Sequence, residues 1–132
     1  MINYNGAEDI KRRVLEISSK LDMEHIDVTR LRCYRSHGSA SSAVARCYAL
    51  GKIWQLALNT RAHYVIEVIG ERYDRLSKEE QDKVLIHELL HIPKSFGGGF
   101  RHHDYVCRKN VEKLHKKLNS GEAGRFFKES LL

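Results

Sequence analysis

Across Val84-Leu85-Ile86-His87-Glu88-Leu89-Leu90-His91-Ile92, only His87, Glu88 and His91 are polar. A run this apolar has to be buried nearly all round, and buried imidazoles and carboxylates need partners. On a helix, His87 and His91 stand one turn apart on one face, close enough for two ring nitrogens to meet at one tetrahedral zinc. Glu88 follows about 100° further round, where a carboxylate can reach a zinc-bound water without ligating the metal. The plainer reading is a core His–Glu pair satisfied by hydrogen bonds alone. The downstream His102-His103-Asp104 weighs against it.

A site of this kind needs a third ligand. Candidates are His102, His103, Asp104, Cys107, Glu112 and His115. Cys107, Val111, Leu114 and Leu118 recur at helical spacing and predict a helix from about His103 or Asp104 to Leu118. Extending its buried stripe back four residues from Cys107 reaches His103, which is favoured over His102. Glu112 and His115 fall off the stripe, and Asp104 is suited to capping the helix or orienting a ligand imidazole.

Before this region the pattern alternates between helix and strand. Asn5 with Glu8 suggests a capping box, and Ile10, Val14, Ile17 and Leu21 predict a helix over about 7–21. Residues 26–34 read as a strand with one wet face. Ser36 to Ser42 read as a loop, from which His37 is a remote metal-ligand candidate. Two strands, 43–49 and 53–58, are expected as a hairpin about Leu50-Gly51-Lys52. Tyr64–Ile69 is β-branched enough for a central strand. Ser77 with Glu80 is a second capping box that opens the histidine helix. Glu79, Glu80 and Asp82 complement its dipole, and Pro93 ends it. The glycines of Lys94–Arg101 suggest a freely moving loop. The expectation is one α+β domain over 1–132, with its core at about 7–118 and a tail at 119–132. A small, three- to four-stranded, largely antiparallel sheet follows an N-terminal helix.

The chain lacks an apolar run of the roughly 18 residues a membrane span needs, and its N-terminus lacks a signal-peptide layout. Cys33, Cys47 and Cys107 are odd in number and widely spaced, which suits buried thiols in a reducing cytoplasm. The formal charge of +6 permits an acidic partner. Lys109, Lys113, Lys116 and Lys117 point off the stripe of the last helix, where only Tyr105 is an aromatic neighbour. The expected nucleic-acid contact is therefore weak, sequence-independent and made through phosphates.

The run Tyr64–Ile69, Leu76-Ser77, Val84 to Pro93, a glycine-rich loop and His103-Asp104 resembles the small metallopeptidases of archaea and phages. These are in turn similar to the minimal zincins of the SprT/Spartan class. The resemblance covers about residues 44–118. It implies a helix–sheet–helix zincin core whose metal lies between the active-site helix and the helix after the loop. It also implies one zinc held by His87, His91 and His103, with Glu88 as general base. SprT-like proteins usually follow the third histidine with glycine, whereas Asp104 stands here, so DNA-linked protease function is not carried over. The functional expectation is a zinc metallopeptidase acting on polypeptide, with an edge strand within 43–69 pairing to the substrate. The competing classes are a non-catalytic, zinc-stabilised module that binds protein or nucleic acid, and a metal-dependent nuclease. Oligomeric state is not legible.

Overall fold

The computed structural model describes the backbone of residues 1–131 and the side chains of residues 1–120. In chain order the elements are β1 (Asn3–Gly6), α1 (Glu8–Lys20), β2 (Leu31–His37), β3 (Ala45–Ala49), α2 (Lys52–Leu58), β4 (Tyr64–Ile69), α3 (Gly70–Tyr73), α4 (Lys78–Leu90) and α5 (Arg108–Leu131). A 3-10 turn at Val28–Arg30 leads into β2, with the Asp27 side chain accepting from the Thr29 N–H. The protein is α+β. How the expected tail at 119–132 docks falls largely outside the described side chains; its backbone continues α5 through Leu131.

The four strands lie in the order β1-β2-β4-β3. β1 pairs antiparallel with β2, and β3 antiparallel with β4, but the central pair, β2 and β4, is parallel from Leu31↔Tyr64 to Ser36↔Ile69. The sheet is therefore mixed, not largely antiparallel. A parallel pair needs a crossover of a dozen residues or more, which residues 38–63 supply together with β3 and α2.

Two further expectations give way to backbone pairing. Asn5 does not cap α1: it lies in β1 opposite Arg35, and Ala7 occupies the N-cap with no side-chain bond. The Ala7 N–H instead donates to Cys33 O at 3.0 Å, extending the sheet contact. The expected 53–58 strand is the helix α2, so there is no hairpin at Gly51. Gly51 is the N-cap of α2, and Asn59 closes it in the left-handed region at φ 50°. The deciding contact is Gln55, turned inward to donate to Leu50 O (2.8 Å) and Gly97 O (3.0 Å). Ile53, Trp54, Leu56 and Leu58 are left exposed.

The core lies on one face of the sheet. Leu31, Cys33, Tyr64, Ile66 and Val68 meet Ile10, Val14 and Ile17 of α1 and Leu85, Ile86 and Leu89 of α4. Ser77 caps α4 as expected, accepting from Glu80 N at 3.2 Å. Asp82 serves more than the helix dipole. It is buried, and both its oxygens accept from Arg13 of α1, at 2.8 and 2.7 Å. A bidentate pair with little water around it fixes the two helices against each other.

Candidate metal centre

α4 delivers His87 and Glu88 from its last turn and His91 from its C-cap. Leu85, Ile86, Leu89 and Leu90 bury the other sides of that turn, so the helix cannot rotate its polar residues elsewhere. The ring centroids of His87 and His91 are 5.1 Å apart.

The loop after α4 is pinned rather than free. Phe96 is buried against Tyr64 (centroids 4.7 Å), and the Arg30 guanidinium lies over the Phe96 ring, 4.9 Å from its centroid. The Tyr64 hydroxyl accepts from Gly98 N (2.9 Å) and donates to Gly99 O (2.8 Å). Gly98 adopts φ +101°, and a Cβ there would meet Gln55 Nε2 at 2.5 Å and Leu50 O at 2.6 Å. Only glycine fits. His25 Nε2 donates to Ile92 O at 3.2 Å where helix gives way to loop. The loop returns at Arg101, whose N–H donates to His91 O (2.8 Å) and whose carbonyl accepts from His91 Nδ1 (2.7 Å). That last bond places the proton on Nδ1 and leaves Nε2 free to bind a metal.

His103 follows two residues later. One ligand atom each from His87, His91 and His103 lies within 4.8 Å of the others, and among the described residues this is the one such cluster. The His103 ring lies 5.7 Å from His87 and 5.2 Å from His91. His103 is not carried by the following helix, as the periodicity predicted. α5 starts only at Arg108, and the N–H groups of Tyr105 and Val106 both turn back to His102 O. A turn can aim His103 at the pair while the chain is still leaving the loop; a helix begun there would first need room for its own turns.

The remaining third-ligand candidates are occupied elsewhere. His102 is exposed, and Asp104 accepts from Tyr105 N at 2.9 Å. Glu112 pairs with Lys83 at 3.1 Å. Cys107 is half-buried outside the cluster, and His115, expected off the stripe, is buried beside Asp82. His37 ends β2 with its ring against Gly70.

Electrostatically the centre suits a cation. Burial first, then His91 and His103, pull the His87 pKa below its ordinary value, so its imidazole is neutral and able to ligate. Glu88 is 5% exposed, and burial pushes its carboxyl up to about 7. Burial, with Glu88 and Cys33 nearby, also raises the Cys47 thiol, which therefore stays protonated beside the site. Three imidazoles that can each offer one ring nitrogen form a donor set able to hold a metal ion, with the buried Glu88 carboxyl beside them.

Two clefts open on either side of His87 and Glu88. One, of about 410 Å³, is lined by Ala45 to Tyr48 of β3, the three histidines and the Phe100–His102 stretch. The other, of about 480 Å³, is largely apolar, with Ala43, Val44, Ala45, Val84 and Val111 in its wall. β3 borders both and is one of the two edge strands of the sheet.

A family model described as putative phage metallopeptidase matches residues 2–128. The chain belongs to that family. Membership in the phage metallopeptidases makes a metal-dependent peptidase the relevant chemistry, and the three histidines are a group able to hold the metal. No curated protein and no solved structure matches the chain. No helix among the described residues of this phage metallopeptidase is long and apolar enough to cross a membrane.

Proposed function

We propose that the protein is a zinc-dependent peptidase of minimal zincin type, built as one domain, with His87, His91 and His103 as ligands and Glu88 as general base. The observation that carries this reading is the three-histidine cluster beside a buried Glu88, at the free edge of β3. A bound zinc supplies Lewis-acid polarisation of the scissile carbonyl and acidifies a water. Glu88 takes the proton from the attacking water and returns it to the leaving amine. The dry wall around Glu88 raises its proton affinity toward the value both transfers need. His91, tied to Arg101 O, keeps its Nε2 directed at the centre. An extended substrate pairs backbone to backbone along β3, with side chains reaching the clefts on either side. The free thiols of Cys33, Cys47 and Cys107 support a reducing, cytoplasmic setting.

The test is Glu88→Gln in the zinc-loaded protein, assayed on an unfolded polypeptide. Full zinc content with hydrolysis lost supports the reading. Loss of zinc would make Glu88 a ligand and remove the proposed base.

A further inference from the structure

The sheet has a second face, turned away from the three histidines; of the residues on it only Arg46 and Tyr48, on the edge strand β3, also border the cleft at the metal centre. Strand register places Tyr4 of β1, Arg32 and Tyr34 of β2, Val65 and Glu67 of β4, and Arg46 and Tyr48 of β3 on the side away from α1 and α4. Tyr4, Tyr34 and Tyr48 are 58%, 38% and 43% exposed. Together with Val65 and Glu67 they surround a hollow of about 290 Å³. Glu67 forms its floor at 3% exposure, accepting from the Tyr48 hydroxyl at 2.6 Å, and Arg46 in turn hydrogen-bonds Tyr48. The carboxylate is thus sunk and partnered, and the charges presented outward are the two guanidinium groups.

Charge distribution points the same way. Residues 28–66 hold Arg30, Arg32, Arg35, Arg46, Lys52 and Arg61 and not one Asp or Glu; the rest of the chain is balanced, with 17 cationic side chains against 17 anionic. The whole formal surplus of +6 therefore belongs to the segment that builds β2, β3, α2 and the start of β4. Arg30 and Arg35 are spent on Asp27, Asp9 and Asp74. Arg32 and Arg46 remain on the open face, with exposed Lys52 and Arg61 just beyond the strands.

We propose that this open face binds single-stranded nucleic acid, with bases stacked on Tyr4, Tyr34 and Tyr48 and phosphates held by Arg32 and Arg46. Accessible rings interleaved with cations are what an unpaired strand needs, since every base offers a π face and every linkage a charge. Tyr4 and Tyr34 are diagonal neighbours on paired strands, about 7–8 Å apart at the backbone. Tyr48 lies two strands further on, so three rings span the sheet. The face lacks the exposed aliphatics an apolar protein partner would want: Val65 is half-buried, and Ile53, Trp54, Leu56 and Leu58 belong to α2. A cationic ligand among the rings would meet Arg46 already in place. Neither stacking nor phosphate contact reads the 2′-hydroxyl, so DNA and RNA strands bind alike. This differs from the phosphate-only contact expected near the α5 lysines, and it does not depend on the peptidase reading.

The experiment is a fluorescence-anisotropy titration of the full chain with a labelled thymidine oligonucleotide, its RNA counterpart and a duplex of equal length. Single strands should bind at least about tenfold tighter than duplex. Tyr34→Leu and Tyr4→Leu, each at an exposed position, should each weaken binding by about five- to a hundredfold, while Tyr34→Phe stays within about twofold. Arg32→Gln and Arg46→Gln should each lower the salt slope by about one. The double change Lys113→Gln and Lys117→Gln should alter affinity little. Equal affinity for duplex, indifference to the leucine substitutions in folded protein, loss through the lysine changes instead, or no binding at all would each overturn the proposal. So would a basic peptide that binds in place of the oligonucleotide.

Discussion

The three histidines come from two unlike supports. His87 and His91 belong to a helix held in place by its cap, its core contacts and the Arg13–Asp82 pair. His103 belongs to a turn positioned by a loop, and that loop is held by two aromatic rings, a tyrosine hydroxyl and two hydrogen bonds to His91. A helix fixes two of the candidate ligands through its own period; a loop fixes the third only through contacts to distant residues. Geometry at the first two positions is therefore local, whereas at the third it is borrowed from β4, α2 and α4.

The sharpest way to break that contrast is to remove ligands. His91→Ala and His103→Ala should each cut zinc affinity by more than the roughly 100-fold that loss of an outer-shell partner costs, read by metal analysis after dialysis. In the metal-free protein they should differ. His103→Ala at an exposed turn should leave the unfolding free energy nearly unchanged, within about 0.5 kcal/mol, while His91→Ala also frees the Arg101 carbonyl and should lower it. His102→Ala should do neither.

Next in size are the supports themselves. Leu89→Ala, in the core beneath the histidine helix, should cost about 2–5 kcal/mol in chemical denaturation. Asp82→Ala removes a bidentate partner and leaves the part-buried Arg13 guanidinium with only the exposed Glu16, which should cost about 1.5–3 kcal/mol. Tyr64→Phe removes one hydroxyl that serves both Gly98 and Gly99. It should cost only about 1–2 kcal/mol, yet weaken zinc about tenfold by loosening the route to His103. Unchanged zinc affinity there would mean that the turn holds His103 without the loop.

The smallest effect is at the junction of the two supports. Burial lowers the pKa of His25, which donates to Ile92 O, and the nearby Arg101 and Lys94 add to the lowering. The unfolded chain then takes up its proton first as pH falls. Stability should decline from about pH 6.5 down to the lower folded pKa and level off below it. His25→Gln should flatten that part of the metal-free stability curve, read by chemical denaturation across pH.

What the sequence made legible follows the same division. The α4 helix announced itself through Ser77, Pro93 and its apolar run, and β4 through its β-branched residues, because those signals are local. Extending a stripe pointed to His103, which lies beside His87 and His91, but its support was misjudged, since nothing local says that α5 starts at Arg108. The α2 segment was read as a strand because a short apolar run fits either period, and only Gln55 reaching Leu50 and Gly97 decides it. The parallel β2–β4 pairing and the Asp82–Arg13 tie join residues tens of positions apart. The tyrosine face was invisible for the same reason: Tyr4, Tyr34 and Tyr48 come together only through strand order.

The three consecutive glycines of the loop are unequal as places to alter the protein. Gly97 would bring a Cβ only to ordinary contact with Ser95 at 3.5 Å, and Gly99 has nothing within 4 Å, whereas Gly98 has neither the space nor the torsion for one. Sequence drift is thus permitted on both sides of a single locked position. A cysteine introduced at Gly99 offers an attachment point for a spectroscopic label on the arc that runs from His91 to His103, close enough to report on the centre when a metal is added.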